Sequence, residues 1–145
     1  MKTRHLYTLL VLLFVVGLAC SPDDNAEPTA QELAFEILSG SWDLTQGGSI
    51  VVDGQDLSLN YPGFGLSFTN GGYGTTNAED LFNASGTWTW ADDEAQMITL
   101  DDGKQITIRS LNETEFVFSF SFSGSGGQAN LVDGIAGSYV ISVNK

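Results

Sequence analysis

Residues 115–122 read Glu115-Phe-Val-Phe-Ser-Phe-Ser-Phe122. A phenylalanine at every second position is the period of a β-strand, and it puts four rings on one face of that strand. The segments before it alternate in the same way. Ser85-Gly-Thr-Trp-Thr-Trp90 aligns Trp88 with Trp90, Gln96-Met-Ile-Thr-Leu100 aligns Ile98 with Leu100, and Gln105-Ile-Thr-Ile-Arg109 aligns Ile106 with Ile108. Short turns separate them: Asp92-Asp-Glu94, Asp101-Asp-Gly103 and Leu111-Asn-Glu113. Consecutive strands joined by tight turns make an antiparallel meander rather than a sandwich with long crossings.

Register follows from keeping the apolar faces together, because a one-residue slip sends a whole set of side chains to solvent. A two-residue turn at Asp102-Gly103 would set Thr99 against Ile106 and mix the faces. A three-residue loop, Asp101 to Gly103, sets Ile98 against Ile106 and Leu100 against Lys104, with glycine at the left-handed position of a bulged turn. By the same logic, a loop from Leu111 to Glu113 pairs Ile108 with Phe116 and Ile106 with Phe118. It leaves Arg109 facing Glu115 on the outer side.

Working back, Thr29-Ala-Gln-Glu32 has the form of a capping box, with a hydroxyl at the N-cap and a carboxylate three residues on. Leu33, Phe35, Ile37 and Leu38 then supply an apolar stripe, so one short helix is expected over residues 30–38, with Gly40 ending it. Further strands are expected at Trp42 to Gln46, Ser49 to Val52, Phe64 to Thr69, Tyr73 to Thr76 and Ser138 to Asn144. Gly40-Ser-Trp42, Gly86-Thr-Trp88 and Gly137-Ser-Tyr139 each open a strand with the same chemistry. Eight or nine strands in a meander favour closure, which removes exposed edges. The fold expected is therefore all-β: an antiparallel up-and-down meander closing into a small barrel of eight or nine strands, with one short N-terminal helix.

The first 20 residues are of another kind. Lys2, Arg4 and His5 precede an apolar run from Leu6 to Ala19, and Cys20, the chain's single cysteine, follows at once. A charged start, a short apolar run and a small residue before a cleavage point form a secretory signal. The run is shorter than the roughly 20 residues that span a bilayer. Leu18-Ala19-Cys20 resembles the lipobox of bacterial lipoproteins, with Gly17 where that family usually has a larger aliphatic residue. The resemblance implies cleavage before Cys20, which then carries the lipid, whereas a free thiol in an ordinary signal peptide or an uncleaved anchor is the plainer alternative. Asp23 and Asp24 resemble the acidic signal that sends some Gram-negative lipoproteins to the outer membrane surface. On this reading residues 1–19 are the signal peptide, 20–29 an acidic flexible tether with Pro22 and Pro28, and 30–145 the barrel domain.

Charge and composition exclude much chemistry. The chain carries −13; losing Lys2 and Arg4 with the leader takes it to −15, a field that repels nucleic acid and acidic lipid headgroups. The single histidine is His5, in the leader. The remaining chain therefore has neither a Ser-His-Asp triad, nor a Cys-His dyad, nor a Cys/His zinc site, nor a disulfide. Asp92, Asp93, Glu94, Asp101 and Asp102 could be read as paired acids for glycoside hydrolysis, but they fall in turns. Asp53-Gly-Gln-Asp56 and the 92–94 cluster lack the full ligand spacing of a calcium site. No catalytic residue, metal or cofactor is expected. Ser123-Gly-Ser-Gly-Gly127 precedes no helix, so it is read as a loop near a barrel mouth rather than a phosphate loop.

A short helix followed by Gly40-Ser-Trp42 resembles the opening Gly-x-Trp of the lipocalin superfamily. The order Gly86-Thr-Trp88, Ile98 to Gly103, Ile106, Ile108 and Phe116 to Phe120 is similar to that of lipocalin-like domains of secreted bacterial lipoproteins. The resemblance implies a monomeric barrel, anchored in the outer membrane through lipid on Cys20, that binds a small apolar molecule. A filled barrel presenting loops to a protein or glycan at the cell surface is the alternative. Trp42, Tyr73, Trp88 and Trp90 are the candidate ligand contacts. That family pairs its first tryptophan with a late arginine at the barrel base; here the late cation is Lys145, with Arg109 earlier.

Overall fold

The computed structural model describes residues 27–124 and 134–145. The expected leader, Cys20, most of the expected tether and residues 125–133, with part of the glycine-rich run, lie outside the described residues. Helix α1 (Ala30–Leu38) is followed by ten strands: β1 (Gly40–Asp43), β2 (Ser49–Val52), β3 (Gln55–Asp56), β4 (Gly65–Thr69), β5 (Gly72–Thr76), β6 (Ser85–Trp90), β7 (Met97–Leu100), β8 (Gln105–Leu111), β9 (Glu115–Phe122) and β10 (Gly137–Asn144). Strands β4 to β10 pair in chain order, all antiparallel, and β1 joins β4 on one side and β10 on the other. The result is a closed eight-stranded antiparallel barrel of lipocalin-like form with one short helix. Strand β2 continues the line of β1 along β10 after a detour, setting Val52 opposite Tyr139 and Ser49 opposite Ser142.

The sequence accounts for most of these boundaries. The capping box closes as read: the Glu32 amide donates to Thr29 Oγ1 at 3.2 Å, and the Thr29 amide donates to Glu32 Oε2 at 2.7 Å. Ile98 lies opposite Ile106 and Thr99 opposite Gln105, so the three-residue turn over Asp101–Gly103 holds. Gly103 has φ +85°, the left-handed conformation that turn requires.

Two expectations are corrected. Strand β1 stops at Asp43 rather than reaching Gln46, because the Asp43 carboxylate accepts the Thr45 amide at 2.7 Å and also the Thr45 hydroxyl. That local turn competes with the sheet ladder and leads into a 3₁₀ turn at Thr45–Gly47. Further on, Asp53-Gly54 forms a two-residue hairpin turn. Both residues are left-handed, at φ 47° and 87°, and Val52 pairs with Gln55 across them. Second, Ile108 faces Phe118, Leu111 faces Phe116, and a bulge between Ile108 and Ser110 isolates Arg109. The expected Ile108–Phe116 pairing and the Arg109–Glu115 contact are absent. The cause is the turn: Asn112 Oδ1 accepts the amides of Thr114 and Glu115, both at 3.0 Å, shortening the loop and pushing one extra residue into β8.

The inward faces fill the barrel with rings, as the alternation required. Trp42, Phe116, Phe118 and Tyr139 are at most 1 % exposed. Ring centroids step from Trp42 to Phe116 at 5.7 Å, to Phe118 at 4.7 Å, to Phe120 at 6.3 Å and to Tyr139 at 5.1 Å. Phe116, Phe118 and Phe120 are neighbours along β9 and Tyr139 is the partner of Phe120 on β10, while Phe68 reaches Phe116 at 6.0 Å and Phe82 reaches Phe118 at 6.3 Å across the interior.

Candidate functional site

The two barrel ends are built differently. At one end lie α1, the turn at 70–71, the 91–96 turn and Lys145. Here Trp42 Nε1 donates to Leu38 O at 2.8 Å, and Lys145 Nζ donates to Ile37 O at 2.6 Å and Ser39 O at 2.7 Å. These carbonyls belong to the C-terminal turn of α1, where helix acceptors lack internal partners and a cation is favoured. Lys145 Nζ also sits 4.2 Å from the Trp42 ring centroid. The late cation over the first tryptophan is thus Lys145, not Arg109. Burial pulls the Lys145 pKa down, while the carbonyls and the indole face favour the ammonium form.

At the other end, the 77–84 segment folds over the barrel mouth. Leu81 and Phe82 are buried, and Phe82 packs on Phe64, Phe118 and Phe120. Lys104 Nζ donates to Leu81 O at 2.6 Å and lies 5.0 Å from the Phe82 centroid. Sequence reading left this segment unassigned, although its Leu81-Phe82 pair is its one bulky apolar signal. Gly134 N donates to Asp80 Oδ1 at 2.7 Å, tying the chain before β10 to the same segment.

The four expected contact residues do not converge. Trp42 is sealed under Lys145. Tyr73 is 6 % exposed and donates to Asp101 Oδ1 at 3.3 Å, lying across Gly86. Burial, then the charge of Asp101, pushes its pKa up to about 12. Trp88 and Trp90 do meet, edge to face at 5.1 Å and 90°, beside α1. Trp88 is 5 % exposed and packs on Phe35 and Phe68. Its Nε1 is satisfied by Thr69 O and Gly72 O, both at 3.0 Å.

Trp90 is only partly buried. It borders an open groove of about 670 Å³ between α1, the Asn70-Gly71 turn and β6, with Phe35 and Trp88 also in its lining and Gln31 and Glu32 on the helix side. The Glu32 carboxyl is held below its ordinary range by hydrogen bonds from the Thr29 amide and then the Thr29 hydroxyl. A second concavity of about 580 Å³ lies on the outer face of β8 to β10, where Thr107, Arg109, Ser119, Ser121 and Ser138 make it polar.

The acidic residues act as turn acceptors. Asp92 Oδ1 accepts the Gln96 amide at 2.7 Å, Asp102 Oδ1 the Lys104 amide at 2.9 Å, and Asp56 Oδ1 the Ser58 amide at 2.8 Å. Among the described residues, no three His, Cys, Asp or Glu side chains are grouped so as to hold a metal ion. No protein-family model matches the chain, and no curated protein matches it in sequence.

Proposed function

We propose that this protein is a lipoprotein of the outer membrane, held there through Cys20, whose lipocalin-like barrel binds a small ligand without transforming it. The ligand site is the Phe35–Trp88–Trp90 groove rather than the barrel interior. One observation carries this choice: rings from different walls meet inside the barrel, Phe68 on Phe116 at 6.0 Å and Phe82 on Phe118 at 6.3 Å, whereas Trp90 borders open space. A pocket for a drug-sized ligand needs roughly 300 Å³ or more, which the groove has and an interior crossed by rings does not.

The neutral fluorophore N-phenyl-1-naphthylamine tests the site. It is expected to bind saturably to the wild type and to lose that binding in Trp90→Ala. Binding that survives Trp90→Ala unchanged would place the ligand elsewhere and refute the groove. Labelling cells with a radioactive fatty acid tests the anchor: the wild type should be marked and Cys20→Ser should not, and equal labelling overturns lipidation there. A second reading, a filled barrel that presents its surface to a partner, draws support from Leu59, an apolar side chain 96 % exposed on the Ser58–Asn60 turn.

A further inference from the structure

We infer that the occupant of the groove is a neutral saccharide, with one sugar ring lying against the Trp90 indole. The inference rests on the groove being the ligand site and adds the chemical class of the ligand.

The three indoles differ in a telling way. Trp42 Nε1 and Trp88 Nε1 each donate to backbone carbonyls. Trp90 Nε1 has no acceptor among the described residues, and no buried side-chain nitrogen or oxygen there lacks a partner, so this N–H is open to solvent. A tryptophan that keeps an apolar face and a free donor at a surface is suited to a ligand that is apolar on one side and hydroxylated at its edge. Trp88, perpendicular to it at 5.1 Å, fixes the ring in place. The ordering cost of binding is therefore small on the protein side.

The rim completes the chemistry. The Asn70 carboxamide has no partner among the described residues. Gln31 uses its Nε2 on Asp92 O at 2.8 Å, which leaves its Oε1 free to accept. Glu32 uses Oε2 in the capping box, which leaves Oε1. One donor–acceptor amide and two further acceptors around aromatic faces match the hydroxyl edge of a pyranose.

Charge removes the competing classes. No lysine or arginine lines the groove, and Glu32 does. A phosphate, a fatty-acid carboxylate or an acidic sugar would meet the Glu32 carboxylate with no basic side chain in the lining to offset it. A long acyl chain would need a longer apolar track than Phe35, Trp88 and Trp90 provide. A cationic amine is the remaining competitor, since Glu32 and an indole could hold one, but it would make no use of the Asn70 amide donor or the Trp90 N–H.

The test titrates the full chain with neutral malto-, cello-, chito- and manno-oligosaccharides, with octylamine, and with N-phenyl-1-naphthylamine, following tryptophan emission and its quenching by acrylamide. Trp42 and Trp88 are buried, so the accessible emission belongs to Trp90. At least one saccharide series should bind saturably and shield Trp90 from acrylamide. Trp90→Ala should weaken it by about tenfold or more, as truncating a central aromatic contact does, with Trp90→Phe intermediate and the circular dichroism spectrum unchanged. Naphthylamine or octylamine binding that needs Trp90, with no saccharide binding, overturns the saccharide and leaves the groove standing. No Trp90-dependent binding of any probe overturns both.

Discussion

Replacing Phe118 by alanine tests whether the barrel is filled, on which the placement of the ligand site depends. Phe118 is 0 % exposed on β9, opposite Ile108 on one neighbour and Ile141 on the other. Its ring centroid lies 4.7 Å from Phe116 and 6.3 Å from both Phe120 and Phe82. Phe116 and Phe120 are fixed to the same strand, and Phe82 is held by Lys104 on the carbonyl before it, so the hole left by the ring collapses little. A Phe→Ala change in a close-packed core costs about 3–5 kcal/mol, the upper part where neighbours cannot relax. About 4 kcal/mol is expected here, a large share of the roughly 5–15 kcal/mol that stabilises a domain. For a domain of this size the midpoint of thermal unfolding should fall by roughly 10–20 °C. Urea and thermal unfolding, followed by circular dichroism and tryptophan emission, measure the difference. Val117→Ala, one residue along on the outer face, serves as control and should cost under about 1 kcal/mol. A loss below about 2 kcal/mol for Phe118→Ala would be no more than the transfer term of the ring. It would mean that the interior already holds space or water, and the argument against an internal ligand would fail.

Two further outcomes follow from the Tyr73–Gly86–Asp101 contact. A Cβ on Gly86 would stand 2.5 Å from Asp101 Oδ1 and 2.7 Å from Tyr73 Cε1, so Gly86→Ala should cost about 1–3 kcal/mol by overpacking; a variant that unfolds in urea with the wild type would contradict this placement of Tyr73. Tyr73 has its folded pKa raised to about 12, so its share of stability is complete below the unfolded tyrosine value near 10 and is lost as pH rises toward 12. Burial raises Tyr61 and Tyr139 in the same direction. Urea midpoints should therefore drop across that alkaline window and drop less steeply in Tyr73→Phe, and a flat wild-type profile there would refute the buried phenol.

What could be read from the chain was local. Alternation in residues 85–122 fixes which side chains share a face, and Thr29 with Glu32 sets the start of α1, because period and capping involve neighbours in sequence. The turn over Asp101–Gly103 was equally legible, since glycine and the apolar faces allow one register. The turn at Asn112 defeated the same logic. Face matching tolerates several loop lengths if a bulge absorbs the remainder, and the choice rests on which amides the Asn112 carboxamide collects. The site was half legible. The Trp88–Trp90 pairing is a strand period, but their difference in exposure depends on where α1 and the Asn70-Gly71 turn come to rest.

The sequence by itself determined an all-β chain with a short helix, no histidine beyond His5, and a strongly acidic surface; these are matters of period and composition. Tertiary structure alone decided that β1 closes on both β4 and β10, that Lys145 caps the Trp42 end, that Phe82 and Lys104 occupy the opposite mouth, and that of three tryptophans only Trp90 keeps an open indole N–H. Each of those depends on contacts between residues far apart in the chain, such as Lys145 with Ile37 or Lys104 with Leu81. Such pairings depend on the closed geometry as a whole, and no local pattern encodes it.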